Sequence, residues 1–376
     1  MKLEIQTKKL KEVVGLVEKT AGKHATLPIL SCLLVEVGKN TVTFRSTNLD
    51  VGVEVVVSAK TTGEGSVAVP ARTFSTFIFQ LPDQNQTTTI EVDQDTATGV
   101  ASGNLLIQTT QSKGVIKTVP PEDFPAIPVV SDGQEFELPA DVIVKGLKSV
   151  WYSSSVSGIK PELSSVYLYR DGDYITFVAT DSFRLAEKKV KAPNTVKLND
   201  ILIPFKNISD IIRTLESIGG KVTVKVNKNL ISFSEGQTTI VSRIIDGVFP
   251  DYKQIIPKSF ITEIVALKQD IIDSLKLSNI FSDKFNQVRL VVDPKKKICE
   301  VQTKNSDVGE NKTSISAALT GEPIEVNFNY KYIVDCFQSI EADSVSLQLS
   351  GPNKPMVIRP VSSDSTFMYI VMPMNR

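Results

Sequence analysis

From Lys8 to Lys19 the apolar residues Leu10, Val13, Val14 and Val17 recur at i, i+3, i+4 and i+7. This is the stripe of an amphipathic helix, and Lys8, Lys9, Lys11 and Lys19 fall largely off it. β-Branched runs come next, Leu33–Val37, Thr41–Ser46 and Val51–Ser58. The break Gly38-Lys39-Asn40 and the corner Asn48-Leu49-Asp50 separate them. Ser66–Pro70 reads as a strand stopped by proline, and a second helical stripe, Phe74, Phe77, Ile78 and Leu81, follows it. Strands are predicted at Thr88–Val92 and Leu105–Thr109, and the stretch closes on Glu122–Pro128.

The same order then returns. A helix is expected from Pro139-Ala140-Asp141, with Ile143, Leu147 and Val150 inward and Lys145 and Lys148 outward. Strands Val166–Tyr169, Tyr174–Ala179 and Ala186–Val190 lead to Ile201–Pro204, a second strand stopped by proline. A helical stripe Ile208, Ile211, Ile212, Leu215 follows, then strands Lys221–Val226, Leu230–Ser234 and Thr238–Ile244. The close, Asp246–Tyr252, echoes Glu122–Pro128. A third pass places Ile271, Ile272 and Leu275 inward on a helix at Leu267–Leu277, with Lys268 and Lys276 outside. Strands Val288–Val292 and Ile298–Thr303 follow, and Ile324–Asn327 stands where the earlier proline stops stood. The stripe Tyr330, Ile333, Val334, Phe337 precedes strands Ser344–Leu349, Met356–Arg359 and Phe367–Met372. A duplication of this size makes domains rather than a solenoid. The expected fold is α+β: three repeated domains of like topology at residues 1–128, 135–256 and 258–376, each with two helices on antiparallel sheets. Pro120-Pro121, Val129–Gly133 and Lys253–Lys258 read as linkers.

Between the strands Tyr174–Ala179 and Ala186–Val190 lies the corner Thr180-Asp181-Ser182-Phe183-Arg184-Leu185. It gathers an arginine, a phenylalanine and a leucine where side chains splay outward, which suits a small apolar pocket with one fixed charge at its lip. The same residues also fit an ordinary hairpin with a solvated arginine.

Composition narrows the picture. The 376 residues are 41% hydrophobic and 22% charged, enough to bury real cores. Lys+Arg and Asp+Glu both number 42, so any basic surface must be balanced by an acidic one elsewhere. Cys32, Cys299 and Cys336 lie far apart without metal-ligand spacing, which points to a reducing, cytoplasmic setting. No stretch approaches a membrane span or a signal peptide. His24 is the one histidine, so Ser-His-Asp and Cys-His arrangements have no other base to use. No phosphate-binding glycine loop and no metal-ligand cluster is found, so no catalytic residue, metal or cofactor is expected.

Four motifs carry a resemblance. They are Thr26-Leu27-Pro28-Ile29-Leu30; Val178-Ala179-Thr180-Asp181 with Arg184-Leu185-Ala186; Asp246-Gly247 with Phe249-Pro250-Asp251-Tyr252; and Val371-Met372-Pro373-Met374. In this order, across nearly the whole chain, they resemble the bacterial DNA polymerase III beta subunits, the sliding clamps. The resemblance implies a head-to-tail homodimeric ring around duplex DNA, helices inside and sheets outside. It also implies partners that dock a short linear motif, often with Gln first and apolar residues last. These are the DNA polymerase III alpha subunit, the clamp loader and other replication and repair proteins. The docking pocket would comprise Leu163, Thr180, Ser182, Phe183, Arg184, Leu185, Pro250, Ile255, Pro355, Met356, Ile370, Met372 and Met374. Methionines adapt to several partners; equally, Ile370 and Met372 could be one face of a core strand. Ser182-Phe183 stands where many members have Gly-His, and Gln254 where many have a basic residue.

By the same resemblance His24 and Arg72 would lie near DNA. Lys145, Lys148, Lys206 and Lys268 are candidates by helical periodicity, and a solvated helix face fits them as well. The dimer would join Ile280 and Phe281 to an edge strand at Leu105, Leu106 and Ile107. Ile280 and Phe281 could instead only cap their own helix. Two other readings remain: a monomeric three-domain scaffold that binds peptides without closing a ring, and a carboxylate-dependent hydrolase.

Overall fold

The computed structural model describes residues 1–22, 27–82, 86–93, 103–193, 196, 198–362 and 366–374. The chain forms two compact units, one chiefly from Met1–Val144 and Lys206–Ile244, the other from Lys145–Asn194, Leu198–Phe205 and Ile245–Arg376. The described residues hold six α-helices: α1 (Thr7–Val17), α2 (Ala71–Gln80), α3 (Ala140–Val150), α4 (Phe205–Ile218), α5 (Lys268–Asn279) and α6 (Tyr330–Cys336). Two of these carry each expected repeat.

In the first unit α1 buries Leu10, Val13, Val14 and Val17, the predicted stripe, each worth about 1.5–3 kcal/mol of burial. It packs on α2 and on the strands Thr41–Thr47 and Val51–Ser58. On α2, Phe74 and Ile78 are buried, whereas Phe77 is only half-buried and Ser75 takes an inward place. The Ser75 hydroxyl donates to the Arg72 carbonyl (3.1 Å), which satisfies it there.

Two antiparallel sheets complete this unit. The five-stranded one runs Lys60–Thr62, Lys2–Gln6, Thr87–Asp93, Asn104–Gln108, Lys113–Lys117. The eight-stranded one runs Gln134–Pro139, Lys221–Val226, Leu230–Glu235, Thr238–Arg243, Val51–Ser58, Thr41–Thr47, Cys32–Val37, Gly65–Pro70. The sheet is therefore continuous across the boundary expected between the first two repeats: Val51 faces Ser242 and Val55 faces Thr238.

The second unit follows the same plan. Its nine-stranded sheet runs Ile201–Pro204, Ser165–Asp171, Tyr174–Thr180, Arg184–Lys191, Phe367–Val371, Met356–Pro360, Ser344–Leu349, Thr262–Leu267, Ala317–Gly321. Arg184 faces Val371 and Lys188 faces Phe367, so here too a sheet runs through an expected boundary. A four-stranded sheet runs Gly309–Ser314, Ile298–Asn305, Gln287–Asp293, Ile324–Asn329. α3 sits close on the nine-stranded sheet because Gly146 has no side chain; a Cβ there would come within 2.2 Å of the Phe177 ring. On α5 the buried residues are Ile271, Ser274, Leu275 and Ser278, while Ile272 is half-exposed.

The strands Lys2–Gln6, Gln134–Pro139 and Thr262–Leu267, one directly before the first helix of each repeat, were not predicted from the sequence. The expected linkers are not free tethers either. Val130 is buried, and Tyr252–Ile255 forms a short 3-10 turn.

One turn recurs. At the first corner the Thr47 hydroxyl donates to the Val51 carbonyl (2.9 Å), and the Leu49 N–H donates to the Thr47 hydroxyl (3.0 Å). The Asp50 and Val51 N–H groups both donate to Asn48 Oδ1, at 3.0 and 2.8 Å. Leu49 has φ of 75°. The side chains of Thr47 and Asn48 thus hold the turn by local bonds of the Asx and ST type.

Candidate functional site

The corner Thr180–Arg184 repeats that turn residue for residue. The Thr180 hydroxyl donates to the Arg184 carbonyl (2.7 Å), and Ser182 N–H to the Thr180 hydroxyl (3.2 Å). Phe183 and Arg184 N–H groups donate to Asp181 Oδ1 at 2.9 and 3.0 Å, and Ser182 has φ of 77°. The turn throws Phe183 outward, leaving it 60% exposed.

The strand end at Val371 is fastened beside it. Met372 N–H donates to the Phe183 carbonyl (2.8 Å), and Met374 N–H to the Asn327 carbonyl (2.8 Å). Met372 and Met374 are half-buried. Exposed Phe183 and two half-buried methionines therefore form an apolar rim held by backbone bonds.

Arg184 is tied inward. Its Nε donates to Asp181 Oδ2 (3.0 Å), one terminal nitrogen to Asp335 Oδ2 (2.5 Å) and the other to the Tyr152 carbonyl (2.7 Å). Its guanidinium lies 4.7 Å from the Tyr332 ring centre. Burial disfavours its charge, but the Tyr369 phenol, Asp335 and Asp181 outweigh that and hold it above its ordinary value. Burial also pushes the Tyr152 and Tyr369 phenols well above their usual range. Tyr152, Tyr332, Asp335 and Asn327 were missed from sequence. Tyr332 and Asp335 do stand at i, i+3 on α6, but off its apolar stripe.

The other expected pocket residues divide into two sets. Ser182, Pro250 and Ile255 are exposed and Pro355 is half-buried. Leu163, Thr180, Leu185, Met356 and Ile370 are buried. Leu185 and Ile370 face each other across two strands and belong to the core cluster with Val178, Phe249, Tyr252, Val357 and Met368. Both are 1% exposed and lie beneath the corner's surface. Phe249 stacks on Tyr167 (4.8 Å) and Tyr252 N–H bonds the Pro250 carbonyl (2.7 Å), which fixes Pro250 at the surface. Gln254 is engaged with Asp251 (2.8 Å).

The basic candidates are less alike than periodicity suggests. Arg72 is exposed at the start of α2, and Lys148 is exposed on α3. Lys145 pairs with Glu341 (3.4 Å) and Lys206 with Asp50 (2.7 Å). Lys268, expected to point outward, is half-buried and donates to the Ile340 carbonyl (2.7 Å). His24 lies outside the described residues.

The interface residues need one correction. Leu105, Leu106 and Ile107 are not on an edge strand: Asn104–Gln108 is paired on both sides, with Thr87–Asp93 and with Lys113–Lys117. Leu105 and Ile107 are buried and Leu106 is half-buried. The edge is Lys113–Lys117, where Val115 is 60% exposed. Gly114 lets this edge lie on α2, since a Cβ would come within 2.6 Å of the Phe77 ring. Ile280 is 62% exposed and Phe281 half-buried.

Among the described residues no group of three or more His, Cys, Asp or Glu could hold a metal, and no helix is long and apolar enough to cross a membrane.

Three family models match in succession: the DNA polymerase III beta subunit N-terminal domain over residues 1–128, its central domain over 137–251 and its C-terminal domain over 253–375. A beta sliding clamp of Synechocystis is 26% identical over 396 residues, covering 100% of this chain and 99% of that one. Those of Caulobacter vibrioides and Escherichia coli K12 are 27% and 25% identical, each covering 100% of both chains. The solved DNA polymerase III beta subunit of Thermotoga maritima superposes with a TM-score of 0.91 at 25% identity, over 100% of this chain and 99% of that one. With matching domains in order along the chain and the same fold throughout, this chain belongs to the DNA polymerase III beta subunit family, the sliding clamps.

Proposed function

We propose that two copies of this chain close head to tail into a ring around duplex DNA and act there as a processivity clamp. The domains would be residues 1–128, 135–256 and 258–376. One observation carries the dimer. The strand after the first corner, Val51–Ser58, is joined on its far side by Thr238–Arg243, the last strand of the second repeat. The strand after the second corner, Arg184–Lys191, is joined by Phe367–Val371, the last of the third. Among the described residues Gly309–Ser314, its counterpart in the third repeat, has a neighbour on one side only. The last strand of the first repeat, Lys113–Lys117, is likewise an edge. Each edge meets its match on a second copy, and two copies satisfy all four. Val115, Ile280 and Phe281 would be covered there.

The clamp acts by topology: a closed ring cannot leave DNA sideways, and diffuse phosphate contacts let it slide. Arg72 supplies such a contact, with Lys145, Lys148, Lys206 and Lys268 able to join by exchanging their present partners. The rim at Phe183, Met372 and Met374, with Pro250 and Ile255, takes the linear motif of the polymerase alpha subunit, the clamp loader and other partners. The chain does no chemistry of its own in this reading, and loading depends on a separate loader.

Sedimentation equilibrium down to nanomolar protein tests ring closure. A species of twice the chain mass, retained on circular DNA and lost on linearisation, is expected. A monomer at every concentration overturns the ring.

A further inference from the structure

We infer that Arg184 is a positioning residue, which sets the spacing of Met372 and Met374 rather than meeting the docked peptide itself. This rests on the peptide-docking reading above and deepens it.

The recurring turn separates what the corner needs from what Arg184 adds. The first corner makes the same four local hydrogen bonds with Val51 in the place of Arg184. An arginine is therefore not required to form the turn. What Arg184 does is join three elements: the corner through Asp181, the 3-10 turn Trp151–Ser153 through the Tyr152 carbonyl, and α6 through Asp335 and the face of Tyr332. Its side chain is 12% exposed, and all three of its nitrogens already donate. Three of the five N–H groups of the guanidinium are thereby taken and one of its faces lies on the Tyr332 ring, so most of its capacity is spent within the fold.

The same elements hold the methionines. Met372 is bonded to the corner, at the Phe183 carbonyl. Met374 is bonded to Asn327, in the strand Ile324–Asn329 that runs straight into α6. Asn329 caps that helix, its side chain accepting from Lys331 N–H (3.0 Å). The Tyr369 phenol, next door on the last strand, donates to the Tyr332 carbonyl of α6 (2.8 Å). Moving α6 away from the corner would draw the anchor of Met374 away from that of Met372. Arg184 spans this gap. Its contribution to peptide affinity is pre-organisation of the rim, not a contact with the peptide.

The test uses the full chain and a labelled synthetic peptide with Gln at its first position and two apolar residues at its end. Arg184→Met is expected to weaken the peptide about tenfold or more, the scale of losing charged hydrogen bonds. Asp335→Ala is expected to weaken it several-fold, and the double variant no further than Arg184→Met alone. Arg184→Lys, which keeps the charge but cannot reach three partners, is expected to behave like Arg184→Met. Hydrogen exchange in the peptide-free protein gives a second readout: the Met372 and Met374 amides are expected to exchange faster in Arg184→Met and in Asp335→Ala. Near wild-type affinity in Arg184→Lys together with no effect of Asp335→Ala would mean a direct charge contact and overturn the inference. Unchanged amide exchange in both variants overturns it as well, whatever the peptide does. Should the wild-type chain bind no such peptide, the docking reading fails, and the exchange measurement still decides whether Arg184 holds the rim.

Discussion

The corner at Thr47–Val51 and the corner at Thr180–Arg184 share a turn and differ at their tips. Position for position, Thr47 and Thr180, Asn48 and Asp181, Leu49 and Ser182 do the same work. Even the neighbouring strand is fastened alike: Arg243 N–H donates to the Asp50 carbonyl (2.8 Å) as Met372 N–H donates to that of Phe183 (2.8 Å). Yet where the second corner shows Phe183 and Met372, the first shows Asp50, paired with Lys206, and Arg243, whose Nε donates to the Leu49 carbonyl (3.0 Å). One corner closes its rim with charge and the other leaves an apolar rim open. Repetition of backbone geometry thus carries the fold through the chain, and a few tip residues decide which copy can dock a partner.

The units also differ in aromatic content. All eight tyrosines and Trp151 fall in the second unit, and the first has none. Folding holds Tyr152 and Tyr369 protonated where the unfolded chain would ionise them, because burial raises both. Their contribution is complete below about pH 10 and is lost as pH rises, at roughly 1.4 kcal/mol per pH unit for each phenol. The largest expected effect is therefore selective alkaline unfolding of the second unit. Trp151 fluorescence, which reports that unit through its stack on Phe205 (5.4 Å), should change at lower pH than amide exchange in the first unit. Simultaneous loss of both would break the contrast.

Exchanging the tips comes next. Phe183→Asp with Met372→Arg gives the second corner the chemistry of the first. Peptide affinity by fluorescence anisotropy is expected to fall about a hundredfold, as two apolar contacts are lost, with the sedimentation mass unchanged. A smaller difference tests the turn itself. Asn48→Ala and Asp181→Ala each orphan two N–H groups, but only Asp181 also holds Arg184. Urea unfolding should show about 1 kcal/mol lost for Asn48→Ala and about 2–3 for Asp181→Ala. Smallest of all is Lys206→Met, which removes an exposed ion pair and should cost under about 1 kcal/mol in the same measurement.

Much of this was legible in the chain. The helical stripes of α1 and α4 are buried as their spacing predicts, and the three-fold recurrence of helix, strands, stop, helix is real. The strands before each first helix escaped because they are short and run directly into a helical stripe. Their partners are also distant: Lys2–Gln6 pairs with Thr87–Asp93, and Thr262–Leu267 with Ser344–Leu349. The true edge Lys113–Lys117 was not expected as a strand at all: Val115 and Ile116 stand side by side between Gly114 and Lys117, a run too short to show alternation.

By itself the sequence determined the local elements, the turn at each corner and the repeat, because these depend on spacing and on side chains that bond their own backbone within a few residues. Only the tertiary structure decided which pocket residues reach the surface. Leu185, Met356 and Ile370 look like docking residues by type, but cross-strand packing buries them. It also decided that Arg184 faces Asp335 and Tyr332, about 150 residues away along the chain. Burial and charge pairing are set by what the fold brings alongside, and no local pattern records that neighbour.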